Sequence, residues 1–347
     1  MKRDTLSSQV YEVTDPLEAI EFYYREGMTD GLPVVPPTPQ RVVEFLEHGG
    51  RAPDDVIGAI PARDRVVTAE KVAINGVMAG CLPEYMPVLL AAVEAMCNDE
   101  FSLNATSAST SGASHMVIVS GPLVKELDIN FGVNLFGPTK RANATIGRAI
   151  RLILMNVCGA VPGVLDQSTL GNPGKYTSCI AEDEDLSPWP PLRHDLGYSR
   201  EESTVTLFAC YAPVQVADHI GQTAEGILST MARSIVDYPY YARGGQVLVV
   251  IVPEHLRHIE RDGWSKKQVK EYLFEATTRP MSFWKERPDS GKHDYREGIG
   301  LAGVVASPDD FVVLVAGGKA GGFSSYLVSW GSEVDYSRMV TRAVARI

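Results

Sequence analysis

The chain has 347 residues, 45% of them hydrophobic and 22% charged, with a formal charge of −11. Such a composition suits a globular protein with an ample core, and the acidic balance excludes the broad basic footprint that nucleic-acid or anionic-membrane binding needs. The first fifteen residues lack the apolar core of a secretory signal and no segment reaches the roughly 18 to 20 apolar residues that span a bilayer. Five scattered cysteines, Cys81, Cys97, Cys158, Cys179 and Cys210, form no C-x-x-C pair. A cytoplasmic protein with reduced thiols is expected.

In chain order, Asp15-Pro16-Leu17-Glu18 supplies a cap, a first-position proline and an acid three residues after the cap, which predicts a helix to about Glu26. The stiff Pro-rich connector MTDGLPVVPPTPQ follows, and Thr38-Pro39 restarts a helix that stops near Gly49 and Gly50. Thr68 to Ala79 is helical and ends at Gly80; Cys81 to Pro87 is a compact turn into an apolar helix reaching Cys97. The polar Asn104–Ser114 run leads into a buried strand, His115 to Val119, that ends in Ser120-Gly121-Pro122. Gly137-Pro138 precedes a long amphipathic helix with Thr139 as its expected cap and Lys140 as its start.

A long irregular segment containing Lys175, Glu182, Asp183 and Glu184 comes next. Ser203–Tyr211 reads as a strand, Ala217–Val236 as a helix, and Gln246–Val252 as a fully buried strand. Pro253 begins a short helix and Ser265 to Gln268 is a capping box that opens another. Asp310–Ala316 is a further apolar strand running into GGKAGGFSS, and a helix near Tyr336 to Ala345 closes the chain. Two passages echo each other as helix, loop and strand ending at a proline, around residues 84–132 and 217–277. The expected class is therefore α/β: two related α/β halves with buried strands flanked by helices, leaving a pseudo-duplication open. The corresponding divisions are 1–60 for the N-terminal helices and connector, 61–200 for the first half and 201–347 for the second.

Arg141, Thr145 and Arg148 fall along one stripe of the long helix, starting at its N-terminus, where cations oppose the macrodipole unless an anion lies between them. A ligand or a structural carboxylate would each remove the mismatch. With Asn143 and Lys175 they are candidate substrate-binding residues, and Gly317, Gly318 and Ser324 of the glycine-rich turn could form an opposite wall, or a tight turn only. Cys81, between two helices, and Glu84 beside it are candidates for nucleophile or proton work. His115 is a candidate acid–base group, against a hydrogen-bonded structural histidine. His255 and His258 share a helix face that is expected to meet solvent. No metal or nucleotide motif is present, so the cofactor is unknown.

Several stretches, DGLPVVPPT, EKVAINGVMAGCLPEYMPVLLAAVEAM, RANATIGRAIRLILMNV, PGKY with CIAEDE and SPW, and more weakly DGWSK and VLVAGG, resemble the UGSC-type (seleno)protein family. The Gly-Ser-Cys signature that names the group does not occur here. The resemblance implies a form that works without that redox motif, or beside a partner subunit that carries it. The expected function is a cytoplasmic enzyme for a small anionic, carboxylate-bearing metabolite, by lyase, hydrolase or thiol-dependent redox chemistry. It is expected to be a homo- or hetero-oligomer and to bind neither nucleic acid nor membrane. The competing expectation is a noncatalytic binding or scaffold subunit.

Overall fold

The computed structural model describes residues 6–13, 15–238, 245–280, 283, 301–331 and 335–345. Its helices are α1 (Pro16–Arg25), α2 (Pro39–Gly49), α3 (Ala69–Ala79), α4 (Met86–Met96), α5 (Leu103–Thr106), α6 (Leu123–Glu126), α7 (Arg141–Asn156), α8 (Leu192–Asp195), α9 (Ala224–Asp237), α10 (Pro253–Arg261) and α11 (Lys266–Thr277). The strands are β1 (Val56–Ile60), β2 (Arg65–Thr68), β3 (Ser114–Ser120), β4 (Cys179–Ala181), β5 (Thr204–Cys210), β6 (Val214–Ala217), β7 (Val247–Ile251), β8 (Arg279–Pro280), β9 (Leu301–Ala302), β10 (Phe311–Val315), β11 (Phe323–Val328) and β12 (Val340–Ala343). Local chemistry sets several boundaries. Asp15 accepts from the amides of Leu17 and Glu18, Thr38 accepts from Arg41, and Gly50 ends α2 in the left-handed region. Ser265 and Gln268 complete the capping box of α11.

Two four-stranded mixed sheets form the centre, in the orders β12-β5-β3-β4 and β10-β7-β11-β6, and β1-β2 and β8-β9 are small antiparallel pairs. In the first sheet β3 runs parallel to β4 and antiparallel to β5; in the second, β7 runs parallel to β10 and antiparallel to β11. The fourth strands, β12 beside β5 and β6 beside β11, are both antiparallel. The sheets meet at a bridge between Cys210 and Ser329, flanked by reciprocal bonds from Tyr211 N to Val328 O (3.0 Å) and from Trp330 N to Ala209 O (2.8 Å). The class is thus α/β, with two mixed sheets at its centre.

Met116, Ile118, Ile180 and Phe208 of the first sheet share one apolar cluster with Leu248, Val250, Val312 and Leu314 of the second. The opposite faces join the larger core formed with the helices. Burial on both faces explains why β7 and β10, and β3 through residues 116–119, read as continuous apolar runs, whereas β5, equally buried, alternates with Thr204 and Thr206.

Some expectations fail. The chain closes with strand β12, not a helix near Tyr336 to Ala345, because Val340 to Ala343 pair with Leu207 to Thr204. The helix expected from Ala217 begins only at Ala224, after strand β6 and a loop in which Ile220 is exposed. The cap of α7 is Lys140, not Thr139, and its side chain makes no capping bond. Because β12 returns to the first sheet, that sheet draws strands from both sides of residue 200. Among the described residues no helix is long and apolar enough to cross a membrane.

Candidate functional site

α7 presents its polar residues to the protein itself. Arg148 donates from Nε and Nη2 to the two carboxylate oxygens of Asp30 (2.9 and 2.8 Å) and from Nη2 to the carbonyls of Leu32 and Pro33. The Asp30 side chain is only 3% exposed. Burial alone would raise its pKa, but the Arg148 hydrogen bonds and charge hold it below the ordinary value. Arg148, in the middle of α7, therefore fastens the Pro-rich connector through a structural carboxylate. Arg141 donates to the Gly80 carbonyl at the end of α3 (2.9 Å), and Thr145 donates to the Arg141 carbonyl. Buried Asn143 accepts from Asn130 N and donates to the carbonyls of Asn130 and Cys179, so it ties the 128–134 loop to β4.

Cys81 lies beside this corner, next to Thr145, but it follows the C-terminus of α3 and is 2% exposed. Burial pushes its thiol up to about 12, against the smaller lowering effects of Thr145, Arg141 and Arg148. That is the reverse of an activated thiolate. Glu84 is on the exposed side of the same turn.

His115 and Lys175 come together, as neighbours of a small polar cluster. Lys175 donates to both oxygens of Asp166 (2.9 and 2.8 Å) and to Ser168 Oγ, while Arg151 pairs with the same carboxylate at 3.3 Å. The cavity they border holds about 10 Å³, scarcely a water. His115 Nε2 meets Thr106 Oγ1 at 3.1 Å. Burial, then the charges of Arg151 and Lys175, push its pKa down to about 3. It is a neutral structural histidine.

The glycine-rich turn is also structural. Gly317 N donates to Phe131 O, and Gly318 lies against Val133. Ser324 Oγ accepts from Val252 N and meets His255 Nδ1 at 2.7 Å, while His255 Nε2 meets Asp218 O at 2.9 Å. His255 is 2% exposed, contrary to the solvent-facing expectation, because β11 covers it.

The titratable groups that do converge on a cavity are elsewhere. A cleft of about 590 Å³ opens past the carboxyl ends of parallel strands β3 and β4, lined by Gly121, Phe131, Glu182, Arg193, His194 and Arg200 among others. Open α/β sheets favour ligand sites at strand carboxyl ends. Gly121 turns the chain out of β3 at φ +94°, and a Cβ there would lie 2.6 Å from Glu202 O, so only glycine fits. Its amide donates to Glu184 Oε1 (2.7 Å), and Arg193, 4% exposed, grips the same carboxylate from Nε and Nη2. Lys125 pairs with Asp185 across the rim.

Glu182 follows β4 directly and is 2% exposed. One carboxylate oxygen accepts from Leu192 N at 2.8 Å; the other is buried and has no hydrogen-bond partner. Burial lifts its pKa to about 7, against the lowering charge of Lys266. A carboxyl that exchanges its proton near neutrality at the border of a cleft has the character of a general acid–base group. Arg200 is exposed on the same cleft and makes no ion pair among the described residues.

Asn143, Gly317 and Gly318 thus support the loop carrying Phe131, which forms one wall of this cleft, without reaching it themselves, while Arg141 ties α7 to the end of α3. Glu182, Arg193 and Arg200 are not legible as site residues from sequence. The nearest signal is the acidic run Glu182 to Asp185 directly after the apolar triplet Cys179-Ile180-Ala181. A larger cavity of about 840 Å³ lies between the N-terminal arm, α1 and α3. Its one buried acid, Glu70, is already satisfied by Ser7 and Ser8. Among the described residues no three His, Cys, Asp or Glu side chains group to hold a metal ion. Comparisons with protein-family models, curated proteins and solved structures give no match for this chain.

Proposed function

We propose that the chain is a cytoplasmic enzyme that moves a proton on a small carboxylate-bearing metabolite bound in the 590 Å³ cleft. The observation that carries this is Glu182: buried, with one unpartnered oxygen, held to about 7, and bordering the cavity. At neutral pH it is present in both forms, so it can take a proton from one atom of a substrate and return it to another, as isomerase or lyase chemistry requires. Arg200 would bind the substrate carboxylate, and the Arg193–Glu184 pair would keep the wall rigid. The thiol-dependent route has less support, since Cys81, Cys158 and Cys210 are buried with pKa values raised to about 12. All five cysteines are free, in keeping with a reducing compartment.

Ligand-observed NMR with a set of small mono- and dicarboxylates tests the binding half. At least one should bind the wild-type chain, lose about tenfold in affinity in Arg200→Ala, as one charge-assisted contact predicts, and still bind Glu182→Gln. If no carboxylate binds, or if Arg200→Ala binds as well as wild type, the enzyme reading yields to that of a noncatalytic subunit. Such a subunit would pair with a partner supplying the redox motif that the UGSC-type resemblance implies.

A further inference from the structure

β3 registers Ser120 against Thr204 of β5 and Val119 against Ala181 of β4, and Glu182 is the residue that follows this last pair, so extending the register by one residue sets it beside Ser120 on the other side. Side chains directly opposite on neighbouring strands share a face, with Cβ atoms about 5 Å apart. Two residues earlier, Ile118 and Ile180 pair and face the layer between the two sheets. Thr204, Ser120 and Glu182 therefore form a row across three strands at the edge of that layer. All three are at most 2% exposed, and each carries a buried oxygen with no hydrogen-bond partner: Thr204 Oγ1, Ser120 Oγ and Glu182 Oε1. One orphan of this kind is unusual; three side by side call for an occupant.

The surrounding charges say which kind. Two cations and three carboxylates meet here. Lys266 is joined to Asp195 (2.7 Å) and to the Pro190 carbonyl, and Arg193 is joined to Glu184. Both pairs are closed, and Glu182, although it feels the charge of Lys266, makes no ion pair of its own among the described residues. Water would satisfy the hydroxyls but would leave the ionised form of Glu182 without an ion pair.

We propose that Glu182 Oε1, Ser120 Oγ and Thr204 Oγ1 form a binding site for one desolvated monovalent cation of the potassium, sodium or ammonium class. The site goes beyond the acid–base reading and does not require it, although a bound cation and a proton would be alternatives at the same oxygen. Two hydroxyls and one carboxylate give oxygen ligands with a single negative charge, which matches a monovalent ion and not a divalent one.

Thermal unfolding of the full chain in potassium, sodium, ammonium and tetramethylammonium chloride at matched ionic strength tests this. At least one of the three small cations should raise Tm saturably, by about 3 °C at a tenfold excess over Kd. Tetramethylammonium, which offers no donor and is too large to fit between strands, should not. Ser120→Ala and Glu182→Gln should flatten the response while keeping the native circular dichroism spectrum. Coincident wild-type curves in all four salts would overturn the site, as would a full response in both variants. Carboxylate binding measured in tetramethylammonium buffer tests the acid–base reading separately, so either can fail alone.

Discussion

Replacing Glu182 by Gln should stabilise the protein above neutral pH, although most substitutions at buried positions destabilise. Holding the carboxyl at about 7 instead of its usual 4.5 makes burial of its charge cost roughly 3 kcal/mol, at about 1.4 kcal/mol per pH unit. The direction follows from proton uptake. A carboxyl with a raised folded value binds more protons folded than unfolded between those two pH values, so stability falls as pH rises through them. The cost is absent below about pH 4.5, grows to pH 7 and is complete above it. Glutamine keeps an oxygen to accept from Leu192 N and offers Ser120 and Thr204 an amide donor without a charge. Urea unfolding of both proteins in tetramethylammonium buffers, from pH 4.5 to 8.5, measures the difference. Coinciding stabilities at the acid end, with the variant ahead by about 2 to 3 kcal/mol at the basic end, are expected. A variant that is less stable by the same amount at every pH would refute the buried uncompensated charge.

Arg148→Ala should cost about 3 to 5 kcal/mol, because it strands the Asp30 carboxylate in the interior, and Arg148→Ala with Asp30→Asn should recover part of it in the same assay. The Asp30 contribution is present above its ordinary 3.8 and is lost as pH falls through its depressed folded value, so the Arg148→Ala deficit should shrink in acid. His115, at about 3, should show ring chemical shifts that do not titrate from pH 5 to 8. Because the unfolded chain takes up that proton first, its contribution should be full above 6.5 and be lost as pH falls towards 3. Mass spectrometry after brief treatment with iodoacetamide should find label on Cys97, the one partly exposed thiol, well before Cys81. Labelling of Cys81 first would contradict its burial.

Much of the framework is legible in the chain. The runs that became β3, β7 and β10 stand out because helices cover one face and a second sheet the other, and Asp15, Thr38 and Ser265 mark helix starts by capping chemistry that is local. The closing segment misleads because Met339, Val340, Ala343 and Val344 also fit helical spacing. Only β5, more than a hundred residues away, makes them an edge strand. Arg148 shows the same boundary at the level of one side chain. The sequence says that a cation on this helix stripe wants an anion, but Asp30 is 118 positions away and nothing local distinguishes it from a ligand. Glu182 is hidden for the converse reason. It is one of four consecutive acids, and only the folded arrangement leaves it buried with an unpartnered oxygen, while Glu184 and Asp185 form ion pairs and buried Asp183 accepts from Leu186 N.

The most direct test of Glu182 as the group that moves a proton is deuterium incorporation. A carboxylate that binds the cleft is incubated in D2O with the wild-type chain or with Glu182→Gln, and its carbon-bound protons are followed by proton NMR. Wild type should exchange or convert a proton next to the carboxylate, with a rate that rises through pH 7 as Glu182 ionises. Glu182→Gln should bind the same compound and leave that proton in place, slower by at least about a hundredfold. Equal exchange by both proteins, or a bound carboxylate that neither alters, would contradict the account.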